Sequence, residues 1–168
     1  MMPARLQRAL AWRLDPVQMM RDAGFEPEPH QVELLRCRAQ NVLATYPRQS
    51  GKSQTLAVLA LHSAYFDPGD VVIMAGEKQK QAREVFDKAA VLHERLFDLA
   101  EVPAMEIVAD EQKFSNGSRV SALPSSTESV RGYAAKLAMV DEAAFTEDGT
   151  LARVSPMLTM TNGRLLCA

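Results

Sequence analysis

The stretch Tyr46-Pro47-Arg48-Gln49-Ser50-Gly51-Lys52-Ser53 decides the fold. Before it runs Asn41–Tyr46, NVLATY, a short apolar segment that reads as a strand. After it, Lys52 to Tyr65 reads as a helix with Leu56, Leu59 and Ala60 on one face. A strand, a glycine-containing turn and a helix start leave backbone N–H groups pointing at one spot, which suits an anion. Gly51 lets the chain approach a phosphate closely. Lys52 is placed to reach β- and γ-phosphates, and the Ser53 hydroxyl to take Mg²⁺. The usual loop carries a first glycine where this chain has Tyr46, so the strict pattern is not met. A Gly-Lys-Ser triplet by itself also fits an ordinary helix start.

Working outward, further apolar runs repeat the strand–helix rhythm. Ala4–Leu14 is a short amphipathic helix. Asp15-Pro16 supplies an N-cap and a first-turn proline for a second helix near 16–23, stopped at Gly24. Glu26-Pro27-Glu28-Pro29 is a stiff connector, and His30–Ala39 again has helical spacing. Val71–Ala75 is a continuous apolar run, as expected for a strand buried on both faces. Lys78–Leu99 is a long helix, with Ala82, Val85, Phe86, Ala89, Leu92 and Leu96 on one face. Residues 105–123 alternate in short runs around Asn116-Gly117, a hairpin signal. Lys136–Val140 ends at Asp141-Glu142. Leu151–Met160 is helical but interrupted by Pro156, and Arg164–Ala168 starts another buried strand. Strands alternating with helices imply a mostly parallel α/β sheet, with ligands at the carboxyl ends of its strands.

The chain has 168 residues, enough for one domain and little room for two. Its net charge is −2, with 47% hydrophobic and 24% charged residues, which excludes disordered, collagen-like and disulfide-scaffold classes. Binding nucleic acid through bulk positive charge is excluded as well. Residues 1–53 hold eight basic and five acidic side chains, a weak pointer to DNA or a partner that a solvated helix face also explains. Cys37 and Cys167 are far apart and read as reduced thiols. His30, His62 and His93 show no metal-ligand spacing. No apolar run reaches membrane-spanning length and no secretory signal is present, so a soluble intracellular protein is expected.

Two adjacent carboxylates at the tip of an apolar strand are costly unless a cation waits there. Asp141 would hold the Mg²⁺ shell and Glu142 would polarise the attacking water as general base. A helix N-cap on a solvated surface is the plainer alternative for the pair. Gln31 follows Pro29-His30, and its amide can both donate to and accept from an adenine edge. Arg48 lies inside the loop, within reach of phosphate oxygens. Arg131, beside the flexible Gly132, suits an arginine finger, supplied in cis or by a neighbouring subunit. Ser125-Ser126-Thr127 reads as solvated loop.

Taken together these residues resemble the N-terminal ATPase domain of the large terminase subunit, the DNA-packaging motor of tailed bacteriophages. Pro29-His30-Gln31 resembles that family's adenine-binding Gln motif. Arg48-Gln49-Ser50-Gly51-Lys52-Ser53 resembles its deviant loop, which lacks the first glycine. Val130-Arg131-Gly132-Tyr133 resembles the Arg-Gly segment before the acidic strand, and Met139-Val140-Asp141-Glu142-Ala143-Ala144 the catalytic-carboxylate motif. The likeness runs from about Gln31 to Phe145. It implies a P-loop NTPase of the RecA-like, additional-strand branch, with a β-hairpin insertion near 105–123 and the strand starting near Gly163 lying between the loop strand and the acidic strand. Residues 1–28 are expected as an N-terminal helical segment and 29–168 as the ATPase core.

The same resemblance implies ATP and Mg²⁺ as cofactors. Gln31, Arg48, Gln49, Ser50, Gly51, Lys52, Ser53 and Gln54 would bind nucleotide, Ser53 and Asp141 the metal. Glu142, Lys52, Arg48 and Arg131 would serve catalysis. Expected partners are double-stranded DNA, a small terminase subunit and a portal protein, in a homo-oligomeric ring in the cytoplasm of the infected host. Neither the family's nuclease domain nor its coupling motif follows within these residues. The core is therefore expected to be cut at a central strand, and the fragment alone to hydrolyse ATP weakly. Two other readings remain open at this level. One is a Gln-motif helicase or translocase, for which Val71–Ala75 and Gly76-Glu77-Lys78 resemble a strand-and-helix grip on single strands. The other is a nucleotide-binding remnant without activity.

Overall fold

The computed structural model describes residues 2–47, 49–75, 79–124, 134–145 and 149–168, with backbone alone at 74–75, 79–81 and 124. Three helices open the chain: α1 (Ala4–Leu14), α2 (Pro16–Asp22) and α3 (Pro29–Arg36). Then come β1 (Asn41–Leu43), α4 (Lys52–Phe66), β2 (Asp70–Ala75) and α5 (Gln79–Phe97). A meander of β3 (Met105–Val108), β4 (Glu111–Phe114) and β5 (Arg119–Pro124) follows. After it stand β6 (Ala135–Asp141), a 3₁₀ turn (Ala143–Phe145), α6 (Thr150–Thr159) and β7 (Arg164–Cys167).

The seven strands form one sheet in the order β1-β7-β6-β2-β5-β4-β3. β1, β7, β6, β2 and β5 run parallel, while β3–β4 and β4–β5 are antiparallel. The last strand sits between the loop strand β1 and the acidic strand β6, as expected of an additional-strand core. The hairpin region is not a separate flap. Its third strand, β5, pairs in parallel with β2 and carries the other two out to the sheet edge. Asn116 and Gly117 make the β4–β5 turn, with Gly117 at φ 87°. The Asn116 side chain accepts from Ser118 N and donates to Ala64 O at 2.8 Å, tying the turn to the end of α4.

Period-two alternation explains why the central strands are apolar throughout. Val71 and Ile73 of β2, with Leu137 and Met139 of β6, face the larger core under α1–α5. Val72, Ala138 and Val140 face a smaller core under α6. α4 is buried around most of its circumference, from Leu56 to Leu61, because the sheet, α5 and the N-terminal helices all pack on it. The single apolar face read from Leu56, Leu59 and Ala60 therefore understates it. Deep in this core the Tyr65 hydroxyl donates to His93 Nδ1 at 2.7 Å, and burial raises the pKa of Tyr65 and lowers that of His93. Pro156 does not interrupt α6. It stands inside a continuous helix, which forgoes only its own hydrogen bond to the Ala152 carbonyl.

Trp12, fully buried, docks α1 on the larger core and donates its indole N–H to Asp22 at 2.7 Å. Asp15 caps α2 by accepting from Val17 N, and pairs with Arg36 at 2.7 Å. The Arg36 hydrogen bond holds the Asp15 carboxyl below the usual range, partial burial opposes it, and the Val17 bond helps. A depressed carboxylate contributes stability above its unfolded pKa and loses it as pH falls through the folded one. Asp15→Ala should thus cost about 1 kcal/mol at pH 7. The gap to the native chain should narrow below about pH 4, as read from urea midpoints at pH 7 and pH 3. A gap of constant size across that range would count against the ionised cap.

Candidate functional site

Residues 44–47 lead away from the carboxyl end of β1, and residues 49–51 lead into α4. Ala44 N still bonds Cys167 O at 2.8 Å beyond the last β1 pair, so the strand ends three residues earlier than Tyr46. Two residues then take left-handed backbone, Gln49 at φ 62° and Gly51 at φ 73°. Gly51 caps α4, and Thr55 N returns to its carbonyl at 3.1 Å. A Cβ on Gly51 would lie 2.5 Å from the Gln31 amide nitrogen, so the position needs glycine for packing as well as for φ.

That contact belongs to a buttress that residue patterns alone do not display. Gln31 is 5% exposed, and its amide turns inward. Its nitrogen approaches Thr55 Oγ1 at 3.1 Å, Gly51 O at 3.3 Å and Ser50 O at 3.4 Å, while its oxygen accepts from Glu28 N at 2.9 Å. His30 Nε2 donates to Ser50 O at 3.1 Å. Tyr46, at the place of the missing glycine, packs its ring 5.1 Å from His30 and donates its hydroxyl to the His30 carbonyl. Burial, with a smaller push from the Glu33 charge, moves the Tyr46 pKa up to about 12, which keeps that donor protonated. The connector helix α3 therefore braces the loop from behind. Thr55 does not stand out in the sequence as part of the site, whereas His30 lies in the Pro29-His30-Gln31 segment already singled out there, and the stiff Pro-rich entry aims α3 at the loop.

Lys52, at the start of α4, meets Asp141, at the end of β6, at 2.7 Å. The Asp141 side chain is only 6% exposed and that of Lys52 24% exposed. Asp141 is thus buried and ion-paired, with the Lys52 ammonium as the cation at the strand tip. Its Oδ1 also accepts from Glu142 N at 2.9 Å, and Glu142 sits at φ 53°, which turns the chain sharply off the sheet. The turn is sealed on the far side, where Ala143 N donates to Ala168 O at 3.0 Å. Ser53 is partly buried in the first turn of α4. The Ser50 hydroxyl and the Gln54 amide nitrogen are buried without a hydrogen-bond partner among the described residues. Gln54 lines a cavity of about 300 Å³ with Phe25, Leu92 and Arg95. Arg48 and Arg131 lie outside the described residues, as do Ser125–Thr127 and Gly76–Lys78.

The donor set fits a nucleotide with a hard cation. A hydroxyl and a carboxylate are oxygen ligands of the type Mg²⁺ takes alongside substrate phosphates. The orphaned Ser50 hydroxyl and the Lys52 ammonium face the same loop, and Lys52 is held by Asp141 alone among the described ion pairs.

A parallel sheet with a lysine-bearing loop after β1, an acid after β6 and a strand inserted between them defines a P-loop NTPase core of the additional-strand type. The family model described as terminase large subunit, T4likevirus-type, N-terminal, matches residues 43–161. The chain belongs to that family of terminase large subunits. Among solved structures it is similar to the large terminase ATPase domain of Thermus phage P74-26, with a TM-score of 0.79 and 20% identity over 88% of this chain and 66% of that one. It is also similar to the large terminase of bacteriophage HK97, with a TM-score of 0.72 and 17% identity over 98% of this chain and 37% of that one. A third match is the large terminase from a thermophilic bacteriophage, with a TM-score of 0.60 and 12% identity over 83% of this chain and 38% of that one. The chain thus spans just under two thirds of the first of these and little more than a third of the others.

Proposed function

We propose that this chain is the ATP-hydrolysing part of a viral DNA-packaging motor, coupling ATP hydrolysis to movement of double-stranded DNA into a procapsid. The Lys52–Asp141 pair carries the reading, because it brings the two halves of a hydrolytic site to contact distance. In this reading the loop N–H groups and Lys52 hold the β- and γ-phosphates. Ser53 and Asp141 would hold Mg²⁺, which would supply charge neutralisation at the phosphates. Nucleotide binding would draw Lys52 from Asp141 to the phosphates. Glu142 takes the proton of the attacking water on its carboxylate. Arg48 and Arg131 place positive charge at the γ-phosphate, Arg131 from a neighbouring subunit of a ring. Gln49, Ser50 and Gln54 complete the nucleotide contacts. DNA, a small terminase subunit and a portal are the partners, in the cytoplasm of the infected host. No described helix is long and apolar enough to cross a membrane.

Gln31 is assigned two duties, bracing the loop and reading the base, and its inward amide supports the first. The test is ATP turnover with and without duplex DNA. Stimulation by duplex DNA is expected, and a rate indifferent to DNA contradicts the motor reading. In the same assay Gln31→Ala should weaken ATP binding about tenfold, the equivalent of one or two lost buried hydrogen bonds. Equal loss for ATP and GTP assigns Gln31 to the loop alone. A selective loss for ATP assigns it to the base as well.

A further inference from the structure

At the opposite end of the sheet from the loop lies a second polar hollow. Ten residues of α4 separate Lys52 from His62, about 15 Å of helix. There a cavity of about 200 Å³ is lined by Arg38, His62, Asp67, Lys136 and Arg164, over the aliphatic floor of Leu59 and Leu137. Three cations face one carboxylate. Asp67 stands 3.9 Å from Lys136 with its side chain 66% exposed, a loose contact that leaves most of the positive charge uncompensated.

One of the cations is held in place. Arg164, opening β7, donates Nε–H to Ala39 O at 2.9 Å, which fixes its guanidinium against the segment after α3. Its Nη2 is buried without a hydrogen-bond partner among the described residues, although the guanidinium also bonds the Cys37 thiol. Burial disfavours the Arg164 cation most, the Cys37 thiol offsets this in part, and the Arg38 charge adds to it. A guanidinium nitrogen left without an oxygen acceptor, next to like charge, is better satisfied when an anion completes it. Gly69 contributes as well, since a Cβ there would collide with the Lys136 stem as it crosses into the hollow. His62 closes one wall. Its Nε2–H donates to Trp12 O at 3.1 Å and Arg13 O at 3.3 Å, which leaves Nδ1 for the cavity side of the ring.

We infer that this hollow is a second anion site, taking a phosphate-type oxyanion on Arg164 Nη2, Arg38 and Lys136, separate from the nucleotide loop. The chemistry suits either a free phosphate or a backbone phosphate of nucleic acid, and the experiment separates the two. The inference does not depend on ATP hydrolysis at the loop.

His62 is a built-in reporter. Its pKa is held down first by burial, with the Arg38 charge adding to that, while the Arg13 and Trp12 carbonyls and Asp15 oppose. An anion in the hollow must raise it. His30 touches Ser50 and so reports on the loop instead. The measurement is an NMR titration of the three histidine rings of this 168-residue chain with inorganic phosphate, then with duplex DNA at matched phosphate concentration. Phosphate should raise the His62 midpoint by on the order of half a unit or more. Arg38→Ala and Arg164→Gln should each weaken that response at least tenfold. Lys52→Met should leave it in place. A response to duplex DNA identifies the source as a backbone phosphate. A response to inorganic phosphate alone identifies a free anion. No movement of His62 with either probe, or movement undiminished in both arginine variants, overturns the site.

Discussion

Glu142→Gln is expected to lower ATP turnover by about 10²- to 10⁴-fold while leaving ATP affinity within a few-fold of the native chain. The reasoning starts from the backbone. Glu142 follows the buried Asp141 at φ 53°, a conformation unfavourable to a residue with a Cβ. It is maintained by Glu142 N–H on Asp141 and by Ala143 N–H on Ala168 O. The turn leaves Glu142 partly exposed rather than in the core, next in the chain to the Asp141 that pairs with Lys52. Glutamine keeps the shape and the turn but cannot accept a proton from water. The loss should therefore fall on the chemical step and not on binding. Phosphate release under single-turnover conditions, set against nucleotide affinity on the same preparations, reads the two separately. Equal turnover in both proteins would remove Glu142 from the role of general base.

Lys52→Met should have two large effects that can be told apart. Without ligand, it leaves the Asp141 carboxylate buried with no cation, a change that costs about 3–5 kcal/mol when one partner of a buried pair is removed. For a chain of this size that is roughly 6–20 °C in Tm. Adding Asp141→Asn on the same chain should restore most of the loss, because the uncompensated charge is gone. If the double variant is as unstable as the single one, the pair is not what Lys52 contributes to the fold. With ligand, Lys52→Met should weaken ATP binding by about 100-fold, the scale of a lost charge-assisted contact to phosphate, and here Asp141→Asn should not rescue. The missing ammonium is what the phosphates need, and only its second partner is internal. On the proposed reading this exchange of partners is the physical content of the site: the lysine that neutralises a carboxylate in the empty protein would neutralise phosphates in the loaded one.

Much of the layout can be read one element at a time. The Asp15-Pro16 pair marks the start of α2 because an oxygen that accepts Val17 N–H and a ring that needs no hydrogen bond are both local devices. β2 and β6 are legible as apolar runs because both their faces are covered. Asn116-Gly117 marks its turn because positive φ is a property of the residue itself. α4 reads as one-faced because helical periodicity counts apolar positions but does not say how many neighbours will arrive. Pro156 reads as a break because the rule for helix interiors ignores how short the helix around it is and what else anchors it.

The site divides the same way. The sequence alone contains a Lys-Ser helix start after a glycine and an Asp-Glu pair at the end of an apolar strand, while their joint assignment to one class of fold came from the family resemblance. Each depends on residue type and on spacing within a few positions, over which backbone geometry is nearly fixed. Only the tertiary structure shows that Lys52 lies on Asp141 and that the Gln31 amide turns inward onto the loop carbonyls. It alone gathered Arg38, Lys136 and Arg164 around one hollow. These are contacts between distant parts of the chain, set by which way each crossover packs its helix on the sheet. Side-chain pattern along one element carries no record of the partner that a different element will bring.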